Sequence, residues 1–210
     1  MTKSPSGVKS DHKFSCLDLE RIAARVRVDL GLKAHQAIDA IRLFEDLHDI
    51  TICQNDGTTI SLGGYVTPEL TEGYALHNSE RKRLEIIASE RTYEWLLAGN
   101  PRAKYFVAHE LGHCILHTDQ LIRLAKMPTD LQTAFHRGGT GGVTHKSYED
   151  TEWQANAFAS ALLMSAKGIM GMKEKYGLFT PAMIVEQYDV SFEAARYRYE
   201  LLMKRPNLLF

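Results

Sequence analysis

Apolar positions in the first quarter of the chain recur at helical spacing. Leu19, Ile22, Ala23, Val26 and Leu30 share one face of a helix expected over 17–30, with Gly31 as its stop. Ile38, Ile41, Leu43, Phe44 and Leu47 make the apolar side of a second helix over 35–48. The rhythm then changes. Ile50-Thr51-Ile52-Cys53 and Thr59-Ile60-Ser61-Leu62 are β-prone, and Asn55-Asp56-Gly57 between them is a turn signal, so a hairpin is expected. Segments 64–77 and 84–89 are further strand candidates, broken by Pro68 and Gly73, and 91–98 reads as a short helix ended by Gly99-Asn100-Pro101. Pro101 opens a central helix running to about His117, because the first position of a helix tolerates a missing N–H. Pro128 and the run Gly138-Gly139-Thr140-Gly141-Gly142 mark 126–148 as a mobile loop. Helical spacing resumes over 150–163, through Ala155, Phe158, Ala159, Leu162 and Leu163. It continues over 167–176, 181–188 and 191–202, the last with Ser191 as N-cap.

This order of elements predicts an α+β fold: leading helices, a small antiparallel sheet, and a helical second half. The expected organisation is a flexible tail over 1–14, a main domain over 15–165 and a C-terminal helical subdomain over 166–210. A chain of 210 residues can bury a real core, and its 44% hydrophobic and 24% charged residues exclude wholesale disorder. The net charge of −1 offers no basic footprint, so neither direct nucleic-acid binding nor an anionic membrane surface is expected. No apolar run approaches the roughly 18 residues of a membrane span. Residues 1–13 lack the apolar segment of a signal peptide, so export is not expected. Cys16, Cys53 and Cys114 are too scattered for a disulfide framework or a thiolate zinc cluster. They read as buried thiols of a protein of the reducing cytoplasm.

The chemistry concentrates on the central helix at His109-Glu110-Leu111-Gly112-His113. Residues four apart lie on one helix face, with Cβ atoms about 5–6 Å apart, so His109 and His113 can reach one ion. Glu110 is rotated off their line and can approach a water on a zinc ion without binding the metal. Zinc lowers the pKa of such a water from 15.7 to roughly 7, and a nearby carboxylate can take its proton during attack on a carbonyl. Tyr105–Ala108 and Cys114–Leu116 flank the motif with mostly apolar residues, so these polar groups should be buried and need partners or a metal.

A catalytic zinc takes three protein ligands. His117 lies about 12 Å along the axis from His109, too far to share the ion in a straight helix. The pattern with a third histidine after a glycine bend also fails, since Leu116 and Asp119 occupy the required positions. A carboxylate on the helix over 150–163 remains, either Asp150 or Glu152. Glu152 is preferred because it shares a face with Ala155, Asn156 and Ala159, whose small alanines permit close helix packing.

Together, His109-Glu110-Leu111-Gly112-His113, Leu116-His117 and Glu152-x-x-Ala155-Asn156-x-Phe158-Ala159-x-x-Leu162-Leu163-Met164 resemble the ImmA/IrrE family of metallo-endopeptidases. Asp189-Val190-Ser191, Arg196 and Leu201 resemble that family's helical tail. The likeness covers roughly 50–202 and implies a zincin-like core. It implies zinc on His109, His113 and Glu152, with Glu110 as general base. It also implies a protein substrate or partner, a helix-turn-helix repressor of a mobile element or stress response, or the antitoxin of a toxin–antitoxin pair. Ser165 departs from the family, which usually has proline there, and this bears on where the second helix ends. Residues 1–47 match nothing in the family.

Other residues carry less. Asn156 is a candidate to hold a ligand in place, or a packing contact. His117 reads as a satisfied structural histidine. Tyr148, His145 and His136 are candidate oxyanion donors that no spacing separates. Trp95 and Trp153 read as core. Arg196, Arg198, Lys204 and Arg205 bring positive charge to the last helix pair, where Phe192, Tyr197, Leu201 and Leu202 read as core contacts rather than a DNA face.

Overall fold

The computed structural model describes residues 8–53, 57–68, 72–127 and 146–209. Helix α1 (Cys16–Asp29) starts at a capping box in which Ser15 and Asp18 satisfy each other's backbone N–H. The next helix is shorter than its apolar period suggests: α2 spans Ala40–Glu45 and tightens into a 3₁₀ turn over Asp46–Asp49. Asp39 caps it, accepting from the Arg42 N–H. The residues just before it are tied instead to α1, where the Arg27 guanidinium donates to the carbonyls of Lys33 and Gln36.

Four strands follow: β1 (Thr51–Cys53), β2 (Thr59–Thr67), β3 (Gly73–Asn78) and β4 (Arg83–Ser89). The hairpin forms, with Ile52 opposite Ile60, although Asn55 and Asp56 of its turn lie outside the described residues. The sheet is mixed rather than antiparallel throughout. Its order is β1-β2-β4-β3, and β4 inserts between β2 and β3, parallel to β2 and antiparallel to β3. Leu84, Glu85, Ile86, Ala88 and Ser89 are buried, as a central strand covered on both faces requires.

Helix α3 (Glu90–Leu97) leads to α4 (Pro101–Leu116), capped by Asn100, whose side chain accepts from the Arg102 N–H at 2.8 Å. His117, with φ −124° and ψ 23°, breaks the helical path, and α5 (Thr118–Leu124) starts directly after it. No glycine or proline announces this corner, and α5 adds to the elements expected from the sequence. Of the loop expected over 126–148, residues 128–145 lie outside the described residues, and Ser147–Glu149 form a 3₁₀ turn. Helix α6 (Thr151–Leu163) has Asp150 as N-cap, accepting from the Trp153 N–H at 2.8 Å. It ends before Ser165, which caps α7 (Ala166–Tyr176). Helices α8 (Pro181–Tyr188) and α9 (Phe192–Lys204) close the order of helices.

α4 and α6 pack against each other through Gly112. A Cβ there would lie 2.9 Å from Phe158 Cδ1 and 3.3 Å from Ala155 Cα, so glycine is what allows the approach. Within the stretch read as a tail, residues 8–13 run along α5 and the start of α6. Lys9 bridges Asp150, Ser10 N–H donates to the Glu149 carbonyl, and Gln120 binds both the Lys9 carbonyl and the Asp11 N–H. Lys13 and Asp11 add ion pairs to Glu149 and Arg123.

Candidate metal centre

α4 and α6 carry the site. His109 and His113 project from consecutive turns of α4, their Nε2 atoms 3.1 Å apart. Glu152, in the first turn of α6, places Oε2 3.3 Å from His109 Nε2 and Oε1 3.2 Å from His113 Nε2. One ligand atom from each residue lies within 4.8 Å of the others, so the three could hold a metal ion. Asp150, the competing carboxylate, is turned to its capping role. The face of α6 inferred from periodicity is therefore the one that meets α4.

This donor set fits a cation. Two imidazole nitrogens and a carboxylate converge, and their lone pairs repel unless protons or a metal ion stand between them. Burial pushes the Glu152 carboxyl up, but hydrogen bonds from His109 and His113 outweigh this and hold it well below the ordinary range. Burial lowers His109, yet the hydrogen bond to Glu152 and the adjacent Glu110 charge leave it raised overall.

Glu110 stands apart from the three. It is buried and lines the same cleft, beside Ala75 of β3, whose backbone favours its charged form. Burial raises its pKa, against the opposing pull of His109 and His113. The cleft has a volume of about 310 Å³, with Tyr74, Trp95, Arg102, Tyr105 and Phe106 among its lining residues. Trp95 packs against the core, as expected, and also lines the cleft, with Arg91 stacked over its ring at 4.5 Å. Of the proposed oxyanion donors, His136 and His145 lie outside the described residues. Tyr148 is not among the residues lining the cleft.

Each histidine has a support. Asn156 lies beside the His109 ring, where it adds to the rise in the His109 pKa, and accepts from the Tyr105 hydroxyl at 3.2 Å. His113 Nδ1 meets His117 Nδ1 at 3.1 Å, and His117 Nε2 meets Gln154 Oε1 at 2.8 Å. Gln154 Nε2 donates to the carbonyls of His12 at 2.7 Å and Tyr148 at 2.8 Å. Burial depresses the pKa of His117 to about 3, with His113 adding to the effect. His117 is hydrogen-bonded, as expected of a structural histidine, but its partners are side chains of the site. Gln154 carried no signal in the sequence: it sits two residues from Glu152, and its carbonyl partners come from elsewhere in the chain.

Elsewhere, two expectations change. Phe192 and Tyr197 are 59% and 57% exposed rather than core, because α9 buries Ala195, Arg198 and Leu202 instead. Cys53 is exposed, while Cys16 and Cys114 are buried thiols. Among the described residues, no helix is long and apolar enough to cross a membrane.

Residues 99–200 match the family model of the IrrE N-terminal-like domain, peptidase family M78. The match spans α4 to α9 and so contains all four motif residues. No curated protein matches the chain. The matched segment contains the converging His109, His113 and Glu152 and agrees with the likeness to the ImmA/IrrE family.

Proposed function

We propose that this protein is a zinc-dependent endopeptidase of the reducing cytoplasm that cleaves a regulatory protein, a helix-turn-helix repressor or antitoxin. Two histidines and one glutamate make the ligand set of a catalytic zinc, which leaves a position open for water or substrate. Zinc held there supplies Lewis acidity toward a peptide carbonyl and lowers the pKa of water to roughly 7. The observation that carries the reading is the placement of Glu110 beside the three donors but not among them, facing the cleft. A metal site serving structure alone has no use for that carboxylate. Its Oε accepts the proton of the attacking water and returns it to the amide nitrogen as the peptide bond breaks.

The competing reading is a zinc-containing binding protein or toxin component that pairs with such a repressor without cutting it. Glu110→Gln separates the two. The amide keeps the size of the side chain but cannot take the proton, so cleavage should fall by roughly 10²–10⁴ while zinc content and partner binding persist. The measurement is co-expression with a candidate helix-turn-helix repressor, scoring repressor fragments and derepression. Full derepression by Glu110→Gln would replace proteolysis with the binding mechanism.

A further inference from the structure

We infer that His117 and Gln154 are positioning residues that set which ring nitrogen of His113 faces the metal site, and that the segment around His12 anchors them. The inference rests on the proposed metal centre and concerns a relay that starts at the carbonyls of His12 and Tyr148. Carbonyls only accept, so the Gln154 nitrogen, within 2.7 Å and 2.8 Å of the two, must donate to both. Both amide protons are then used, and Gln154 Oε1 is left as the acceptor facing His117 Nε2 at 2.8 Å. His117 Nε2 therefore carries the ring proton. His117 is buried and neither of its hydrogen-bond partners is a carboxylate to balance a second proton, so Nδ1 is left as a bare acceptor, 3.1 Å from His113 Nδ1. His113 Nδ1 must then be the protonated nitrogen, and its Nε2 presents the lone pair to the cluster with His109 and Glu152.

Each polarity in this sequence is forced by the one before it. The tautomer of His113 is thus dictated from about three hydrogen bonds away, which is how a buried partner fixes a metal-binding ring. The starting carbonyl of His12 belongs to the segment that Gln120, Glu149 and Asp150 hold against α5 and α6. That segment thereby becomes part of the support of a site on other elements.

The test uses the full chain. Zinc affinity is measured by competition with a chromophoric chelator for the wild type and for Gln154→Met, which keeps the unbranched shape but neither accepts from His117 nor donates. Melting of the metal-free proteins is recorded alongside. Zinc binding should weaken about 10–100-fold in the variant, more than any loss of folded protein explains. Ring-nitrogen NMR of the zinc-loaded wild type should show His113 protonated on Nδ1 and His117 on Nε2. A variant that binds zinc within about twofold of the wild type overturns the relay, as does a His117 protonated on Nδ1. Should the variant fail to fold, the ring spectra of the wild type decide alone. A wild type that binds no zinc removes the metal centre itself, an outcome distinct from an intact centre indifferent to Gln154.

Discussion

At the scale of single residues, the two carboxylates near the start of α6 have separate duties. Glu152 reaches both histidines, while Asp150 accepts from the Trp153 N–H as the N-cap. Glu152→Ala should therefore remove most bound zinc, as should His113→Ala. Asp150→Ala should keep the zinc and lower stability by about 0.5–2 kcal/mol, the usual cost of a lost cap. Elemental analysis with denaturant titration distinguishes the two, and zinc loss in Asp150→Ala alone would reverse the assignment. The motif residues were legible because their chemistry depends on spacing within a single helix. Gln154 was not, because its partners are carbonyls from positions 12 and 148, and no periodicity links those to α6.

Between elements, the site depends on how closely α4 approaches α6. Gly112 lies between His109 and His113 of one helix, against Phe158 and Ala155 of the other. Alanine is the better helix former by about 1 kcal/mol, so local propensity favours Gly112→Ala. The 2.9 Å contact with the Phe158 ring opposes it, and overpacking of this kind costs roughly 1–3 kcal/mol. The packing cost should prevail: the variant melts lower and binds zinc more weakly, because separating the helices moves Glu152 away from the histidines. A variant more stable than wild type with unchanged zinc affinity would show that the helices can part without cost. The sheet makes the same point about context. Strand positions followed from alternation and turn residues. The parallel pairing of β2 with β4 did not, since adjacent segments could equally form a meander, and only the burial of β4 on both faces selects the central position.

Across the whole molecule, two buried arginines hold distant parts together. Arg198 on α9 is 1% exposed; its guanidinium pairs with both oxygens of Glu20 on α1, and its Nε donates to the Met164 carbonyl at 2.9 Å after α6. Arg27 on α1 donates to the Leu162 carbonyl at the end of α6. Removing one partner of a buried pair leaves the other charge uncompensated, so Arg198→Ala should destabilise by about 3–5 kcal/mol. Zinc affinity of the folded fraction should be unchanged, because none of these contacts reaches the cluster. Equilibrium denaturation with and without zinc tests both halves of this expectation. Of the positive charges in the sequence of α9, Arg198 faces inward and Arg196 pairs with Glu200.

By itself the sequence determined what short-range physics controls. Helical and strand periods, caps and the proline at the start of α4 follow from neighbouring residues, and so does the His-Glu-x-x-His face. That Glu152 rather than Asp150 shares the face that packs against α4 was also readable, because helical spacing alone separates the two side chains. Only the tertiary structure decided what depends on partners far along the chain. It brought residues 8–13 onto α5 and α6, turned Phe192 and Tyr197 outward, and inserted β4 between β2 and β3. It also joined His113 through His117 and Gln154 to the His12 carbonyl. The reason is the same in each case: a hydrogen bond or buried face is satisfied by whichever group folding brings near, and sequence distance carries no record of that group.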